Sequence, residues 1–150
     1  HKDLVIQAGR GNGITAFRVV KRGDDWDTEN VWHNDEVSLH MTNGVVVDGI
    51  LVGLSHLNRG QYFGLELDTG HVVWTGAARQ AENASIVKAG SQVISLQNDA
   101  ELIVLDNIRT GFEPVQSYKV ASSETWSQPV ISGERLFVKD FTTLTLWTVK

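Results

Sequence analysis

Polar and aromatic side chains suited to binding a small polar ligand or a peptide recur at one point of a repeated sequence pattern. Three turn-like glycines, Gly49, Gly90 and Gly133, follow one another at intervals of 41 and 43 residues. Seven residues before them stand Thr42, Asn83 and Trp126, and close to these lie His40, Arg79, Glu82, Glu124 and Thr125. A few polar groups beside an aromatic ring are typical of a ligand pocket. The alternative is that they satisfy hydrogen bonds between repeats and line a water-filled funnel.

The sequence contains no recognisable catalytic or metal-binding pattern. His33, His40, His56 and His71 lack the spacing of zinc ligands. No nucleophile, base and orienting residue are arranged as in a hydrolase. The chain has no cysteine, which excludes disulfides, thiolate nucleophiles and iron-sulfur clusters. We therefore predict neither catalytic residues nor a metal site.

The elements that would position these residues are short strands in repeated units. A period of roughly 40 residues is typical of propeller blades or helical arrays. The apolar runs are short, rich in β-branched and aromatic residues, and bounded by Gly, Asn, Asp or Ser, which favours strands. Blades of four antiparallel strands pack around a central channel in a β-propeller, and we expect about 14 strands here. The sequence thus predicts an all-β fold, a partial β-propeller in one domain (1–150) with two complete and two partial blades, at residues 3–33, 37–76, 83–120 and 126–149.

In a propeller, the loop that leads into the innermost strand of each blade forms part of one rim of the channel. The glycine register places Thr42, Asn83 and Trp126 in equivalent loops of three blades. We therefore expect the predicted ligand residues to converge on one mouth of the channel.

A second repeated marker reads as a turn followed by a short strand. In the second unit we predict that Asp68 and Thr69 accept backbone N–H groups, that Gly70 takes a positive φ, and that Trp74 packs against the next blade. The third unit carries a looser version of the same turn, formed by Asp106, Thr110 and Gly111.

Composition excludes two classes of partner. The chain has 13 basic and 18 acidic residues and a formal charge of −5, with no cluster of Lys or Arg. Nucleic-acid binding depends on neutralising phosphates, so nucleic acid is not an expected partner. No apolar run reaches the roughly 18 residues of a membrane-spanning helix, so we predict no membrane insertion.

The segment 63–74, FGLELDTGHVVW, resembles the repeat of the pyrroloquinoline-quinone-like β-propellers, whose blades read roughly Leu-x-Ala-Leu-Asp-x-x-Thr-Gly-x-x-x-Trp. The third unit keeps the first half of this repeat at residues 102–111 but has Val115 in place of the tryptophan. The chain is similar to the C-terminal half of bacterial quinoprotein-alcohol-dehydrogenase-like proteins. This resemblance implies a bacterial protein in the periplasm or another extracytoplasmic compartment.

Two functions follow from the resemblance. The first, which we prefer, is a non-catalytic binding or scaffold module without a cofactor. The alternative is a dehydrogenase that oxidises an alcohol or sugar with pyrroloquinoline quinone and calcium. The family's dehydrogenases use Glu, Asn and Asp ligands, a stacking Trp and usually a pair of adjacent cysteines. Glu82, Asn83 and Trp126 match in residue type, but the chain has no cysteine.

Propellers of this kind normally have roughly six to eight blades, so four units are not expected to close a ring. We predict that the first unit lacks its innermost strand and the last its outermost strand. Unpaired strand edges are prone to pair with other segments. The expected partners are therefore missing blades from the same parent protein or a second copy of the chain, together with a peptide or protein bound at an edge or at the channel mouth.

Overall fold

Four antiparallel sheets, each a simple meander, make up the described part of the chain. The computed structural model describes residues 1–106 and 108–148. Sheet 1 contains β1 (Val5–Ala8), β2 (Ile14–Arg22) and β3 (Asp25–Asn34), and sheet 2 contains β4 (Val45–Val47), β5 (Ile50–Ser55), β6 (Gln61–Glu66) and β7 (Val72–Thr75). Sheet 3 contains β8 (Ala84–Ala89), β9 (Gln92–Gln97), β10 (Glu101–Leu105) and β11 (Pro114–Lys119), and sheet 4 contains β12 (Val130–Ser132), β13 (Arg135–Lys139) and β14 (Leu144–Thr148).

The prediction of an all-β fold with two four-stranded and two three-stranded units is confirmed within the described residues. The only helical segment there is a short 3-10 turn, Leu57–Arg59, between β5 and β6. No helix in these residues is long and apolar enough to cross a membrane. Residue 107 in the third predicted unit and residue 149 in the last lie outside the described residues, and the assignment of the whole chain to one domain stays a prediction.

The three repeated glycines form the hairpins expected of them. Two-residue turns join β4 to β5, β8 to β9 and β12 to β13, with Gly49, Gly90 and Gly133 at φ values of 79°, 63° and 58°. A side chain with a β-carbon rarely adopts this left-handed conformation, which explains why glycine recurs there. Gly49 is the second residue of its turn, whereas Gly90 and Gly133 are the first residues of theirs, so the register predicted from the glycines is displaced by one residue in sheet 2 relative to sheets 3 and 4.

Adjacent sheets bury apolar side chains between their faces. One cluster joins sheets 1 and 2, a second joins sheets 2 and 3, and a third joins sheets 3 and 4. All six residues of β5 are buried, because sheet 2 is covered on both faces. Burying one Val, Leu, Ile or Phe side chain contributes about 1.5–3 kcal/mol. These clusters therefore hold the sheets together, in the face-to-face order of propeller blades.

Tryptophans of the outermost strands tie sheet 1 to sheet 2 and sheet 2 to sheet 3. Trp32 Nε1 in β3 donates to the Leu67 carbonyl of sheet 2 at 2.8 Å. Trp74 Nε1 in β7 donates to the carbonyl of Ile108 in the segment leading to β11, at 2.5 Å. Trp74 is almost fully buried, so the prediction that it packs against the next blade is confirmed.

A buried tyrosine forms a second link between sheets 2 and 3. The Tyr62 hydroxyl lies 2.6 Å from Ser95 Oγ and accepts a hydrogen bond from Gln97 Nε2 at 3.2 Å. Its ring stacks on Phe112, with centroids 4.6 Å apart. Burial raises the pKa of the Tyr62 phenol, which is therefore neutral under ordinary conditions.

The turn after β6 differs in one respect from its prediction. Gly70 has the expected positive φ of 75°, and the His71 N–H donates to Thr69 Oγ1 at 3.2 Å. The Asp68 carboxylate, expected to accept backbone N–H groups, accepts two hydrogen bonds from Lys2 Nζ instead, at 2.8 and 2.9 Å. The N-terminal segment carries this ammonium group to the turn, and its charge makes it a stronger partner than a neutral amide.

The looser turn in sheet 3 also departs from the second-unit pattern. Gly111 has a φ of 159°, which is near the extended range and is not the left-handed conformation of Gly70. The turn occupies residues 108–110, within a connection that has three more residues between Asp106 and Gly111 than between Asp68 and Gly70. The longer connection removes the need for glycine to make a tight bend.

The loop between β13 and β14 is organised by Asp140. Its Oδ1 accepts the backbone N–H groups of Thr143 at 2.7 Å and Thr142 at 3.0 Å. These bonds favour the ionised carboxylate and lower the pKa of Asp140 below its usual range.

Candidate functional site

A cavity of about 200 Å³ lies where the segments leading into the first strands of sheets 2, 3 and 4 meet. Its lining comprises His40, Met41, Thr42, Leu54, His56, Glu82, Asn83 and Trp126. Five of the seven predicted ligand residues are therefore brought together, namely His40, Thr42, Glu82, Asn83 and Trp126. Arg79 and Glu124 do not belong to this lining.

Hydrogen bonds hold the first of these leading segments, the one before β4, against neighbouring strands. Thr42 Oγ1 donates to the Leu54 carbonyl of β5 at 2.8 Å. The adjacent Asn43 pairs across to sheet 3: its Nδ2 donates to the Ile86 carbonyl at 2.7 Å and its Oδ1 accepts the Ile86 N–H at 3.2 Å. The segment before β4 is thereby fixed to both sheets that border the cavity.

The other two leading segments are fixed in a similar way. The Asn83 N–H donates to Asn98 Oδ1 at 3.0 Å, and Asn83 Oδ1 accepts the N–H of Ala84 at 2.9 Å. Thr125, next to Trp126, is buried and donates its hydroxyl to the Gln97 carbonyl at 2.6 Å. The backbone at each corner of the cavity is therefore anchored without using the ring of Trp126.

Trp126 presents an aromatic surface that is still partly open to solvent. Its side chain is 44% exposed, unlike the buried Trp74. The indole Nε1 donates to Glu124 Oε2 at 2.9 Å. Glu124 thus orients the ring and does not itself line the cavity, which is a different role from the direct ligand contact predicted for it.

Two histidines form an edge-to-face pair at the cavity. The ring centroids of His40 and His56 are 5.7 Å apart, with an angle of 61° between the planes. His56 Nδ1 is buried and has no hydrogen-bond partner among the described residues. A buried nitrogen without a partner is costly unless a ligand or water satisfies it.

His56, Met41 and Leu54 line the cavity although sequence reasoning did not include them in the site. Strand pairing could have identified His56. In an antiparallel hairpin the residue after the second strand lies at the same end of the sheet as the residues before the first. His56 directly follows β5, beside the segment that leads into β4.

Arg79 is held elsewhere by the loop that follows β7. Its backbone N–H donates to the Asn58 carbonyl at 3.1 Å, and the neighbouring Gln80 N–H donates to the Gly60 carbonyl at 2.9 Å. β7 is the outermost strand of sheet 2. Arg79 therefore lies beside the connection between β5 and β6, whereas Glu82 and Asn83 lie at the end of the loop that leads into β8.

The charges at the cavity are acidic at neutral pH. Glu82 contributes a carboxylate to the lining and Glu124 contributes another at the indole N–H of Trp126, while the lining contains no Lys or Arg. Among the described residues, no group of three or more His, Cys, Asp or Glu side chains is placed to hold a metal ion.

Comparison with known proteins bears on the fold. No protein-family model matches the sequence, and no curated protein sequence matches it. The structure is similar to BamB from Moraxella catarrhalis, with a TM-score of 0.73 and 15% identity over 97% of this chain and 43% of BamB. It is also similar to the WD40 β-propeller domain of Doa1, with a TM-score of 0.64 and 16% identity over 97% of this chain and 48% of that one. The chain folds as part of a β-propeller.

A computationally designed protein, Ika4, has a similar length. The TM-score is 0.69 and the identity 16%, over 100% of this chain and 88% of the Ika4 chain. By contrast, the present chain spans less than half the length of BamB. The propeller fold implied by the sequence resemblance is thus confirmed, while membership of the pyrroloquinoline-quinone-like family stays a prediction.

Proposed function

We propose that this chain is a non-catalytic binding or scaffold module, part of a larger closed propeller, and that it binds a peptide segment of a partner protein at the cavity. The observation that carries this proposal is the convergence of Thr42, Asn83 and Trp126, from the segments that lead into three successive sheets, on one cavity. The fold likeness to a WD40 propeller domain and to a chain of the mitotic checkpoint complex supports a protein partner.

The size and composition of the cavity fit one side chain of a bound segment. Its volume is about 200 Å³, below the roughly 300–1,000 Å³ typical of pockets for larger small molecules. Partly exposed tryptophans are common energetic anchors of protein interfaces. Trp126 has this character, because its ring is held in place but not buried.

A strand-sized groove supports the second element of the proposal, completion of the propeller. Sheets 2 and 3 each have a fourth strand, whereas sheet 4 ends at its third strand, β14, in the described residues. Beside β14, a cavity of about 420 Å³ lies between sheets 3 and 4, and its largely apolar lining includes Val115, Tyr118, Leu136 and Trp147. An added strand would pair with β14 and cover this groove.

The outward face of sheet 4 is also apolar. Val130, Leu144 and Leu146 are 58%, 65% and 53% exposed. Exposed apolar surface of this kind marks interaction sites. Further blades of the parent protein, or sheet 1 of a second copy, would cover it. A periplasmic or other extracytoplasmic location in a bacterium would follow from the sequence resemblance.

The alternative cofactor chemistry fits the cavity poorly. Calcium takes six to eight oxygen ligands. The lining offers one carboxylate, Glu82, and the side-chain oxygen of Asn83 already accepts the Ala84 N–H. These residues do not fit a calcium ion bound to a quinone, so we derive no reaction step from them.

Peptide selection tests the binding function. A randomised peptide library would be selected on the immobilised chain, and enriched peptides measured by fluorescence anisotropy against wild type, Trp126→Ala and Trp26→Ala. Trp26 is a matched control because its side chain is also exposed, at 69%, but lies in β3 away from the cavity. We expect Trp126→Ala to weaken binding about tenfold, as for an interface anchor, and Trp26→Ala to have no effect. Equal affinities for all three proteins would contradict the proposal.

Two further measurements separate the alternatives. Saturable binding of pyrroloquinoline quinone with calcium, accompanied by dye reduction in the presence of an alcohol, would overturn the non-catalytic function.

Light scattering tests ring completion by a second copy, which predicts a mass of twice 16.6 kDa. Leu146→Lys on the outward face of sheet 4 should then give a monomer, whereas Val73→Lys in β7 should not. A monomeric wild-type chain would contradict completion by a second copy.

A further inference from the structure

The chemistry of the cavity lining specifies the kind of side chain that it can hold. We infer that the cavity binds the guanidinium group of an arginine residue supplied by the partner. This inference rests on the proposed binding function and adds the identity of the recognised group. Two features of the lining carry it: an oriented indole ring and an acidic charge balance.

The indole ring provides a surface for a flat cation. Cations are attracted to the faces of aromatic rings, most strongly to tryptophan, and guanidinium groups also stack on them. Trp126 is partly exposed, and the bond from its Nε1 to Glu124 Oε2 restricts rotation of the ring. A carboxylate at Nε1 also increases the electron density of the ring, which strengthens its attraction for a cation.

The charges favour a cation over an anion. Glu82 supplies a carboxylate within the lining, and Glu124 supplies another at the indole N–H of Trp126. No Lys or Arg lines the cavity. An anionic ligand would be repelled by both carboxylates. A cation that reaches Trp126 gains an ion pair with Glu82 in a site that is partly shielded from solvent.

The shape of the group favours arginine over lysine. Guanidinium carries five N–H donors in one plane, so it can stack on Trp126 while its edge donates to Glu82. The compact ammonium group of lysine does not offer a planar face together with donors at its edge.

The test uses four short peptides that differ at one position. Acetylated, amidated pentapeptides with two glycines on each side of Arg, Lys, citrulline or Glu would be titrated into the ¹⁵N-labelled chain, with dissociation constants taken from amide chemical shifts. Citrulline is the matched neutral control, because it keeps the shape of arginine without the charge. Agmatine, a free guanidinium compound, distinguishes recognition of the group alone from recognition within a peptide.

The expected order of affinity is Arg, then Lys, then citrulline, with Glu weakest. Loss of the charge should cost about tenfold in affinity. Glu82→Gln and Trp126→Ala should each reduce binding of the Arg peptide about fivefold or more, whereas Glu113→Gln and Trp26→Ala, at exposed positions outside the lining, should not.

Equal binding of the Arg and citrulline peptides, or tighter binding of the Glu peptide, would overturn the inference. So would an Arg affinity that is unchanged in Glu82→Gln. These outcomes are distinguishable from failure of the proposed function. If the library selection yielded neutral or acidic peptides whose binding depends on Trp126, the binding function would stand although the arginine inference had failed. If agmatine binds as tightly as the Arg peptide, recognition is confined to the guanidinium group, and the inferred partner segment is overturned in favour of a small guanidinium ligand.

Discussion

The contact between Gly64 and Trp74 permits a quantitative test of how the sheets are held together. The two residues are paired across β6 and β7. A β-carbon added at Gly64 would lie 2.3 Å from Trp74 Nε1 and 2.4 Å from Cε2, whereas favourable separations between carbon atoms are about 3.5–4.0 Å. Gly64→Ala therefore requires the ring to move by about 1 Å or more.

That movement is opposed by two contacts of the ring. Trp74 is buried between sheets 2 and 3, and its Nε1 bonds to the Ile108 carbonyl. Overpacking a core costs about 1–3 kcal/mol, and weakening a buried hydrogen bond adds about 0.5–1.5 kcal/mol. We expect Gly64→Ala to lower the free energy of unfolding by about 2–4 kcal/mol. Trp74→Ala alone should lower it by about 3–5 kcal/mol.

The double variant isolates the clash. In the Trp74→Ala background the added methyl group has space, so Gly64→Ala should change stability by less than about 0.5 kcal/mol. Urea unfolding followed by far-UV circular dichroism measures all four proteins without depending on tryptophan fluorescence. Gly9→Ala is the control, because the closest atom to its added β-carbon would be Asn12 Nδ2, at 3.6 Å.

Two results would refute this reasoning. If Gly64→Ala alone leaves stability within about 0.5 kcal/mol of wild type, the ring of Trp74 moves freely and does not fix the spacing of the sheets. If Gly64→Ala is equally damaging with and without Trp74, the cost lies in the backbone of β6 and not in the contact with the indole.

Three further predictions concern stability. Tyr62→Phe removes the partner of Ser95 inside the core and should lower the free energy of unfolding by about 1–3 kcal/mol in urea, whereas no change would mean that the hydroxyl is not needed there. The pKa of Asp140 is lower in the folded state than in the unfolded state. The stability that its ionised carboxylate contributes is therefore present at pH values above its unfolded-state pKa and is lost as the pH falls through its folded-state pKa. Wild type should therefore lose more stability than Asp140→Asn in urea unfolding between pH 5 and pH 2.5, and parallel profiles would contradict this assignment. Asn43→Ala breaks both bonds to the backbone of Ile86 and should cost about 1–2 kcal/mol, with faster amide exchange at Ile86, and unchanged exchange would argue against the link.

Much of the architecture followed from local signals in the sequence. Turn glycines with positive φ have few substitutes, so Gly49, Gly90 and Gly133 marked three hairpins and, to within one residue, their register. Because the register fixes which residues precede each first strand, it also identified Thr42, Asn83 and Trp126 as neighbours at one end of three sheets. These features depend on backbone conformation and on the repeat period, both of which are local properties.

Other features depend on contacts between segments that are distant in the sequence. Lys2 reaches Asp68 only because the N-terminal segment lies beside the turn after β6, and no local pattern indicates that approach. Asn43 likewise binds the backbone of Ile86, 43 residues further along the chain, only because sheets 2 and 3 lie side by side.

The sequence was therefore sufficient to predict the strands, the turns and the repeated segments that border the cavity, because strand periodicity and turn geometry are encoded within a few residues. Which residues line the cavity is decided by the packing of three sheets. This packing brought His56 into the lining and placed Arg79 beside the connection between β5 and β6, outside the lining. Which side chains face a shared space depends on loop paths and on contacts between sheets, and these are set by the sum of many long-range interactions.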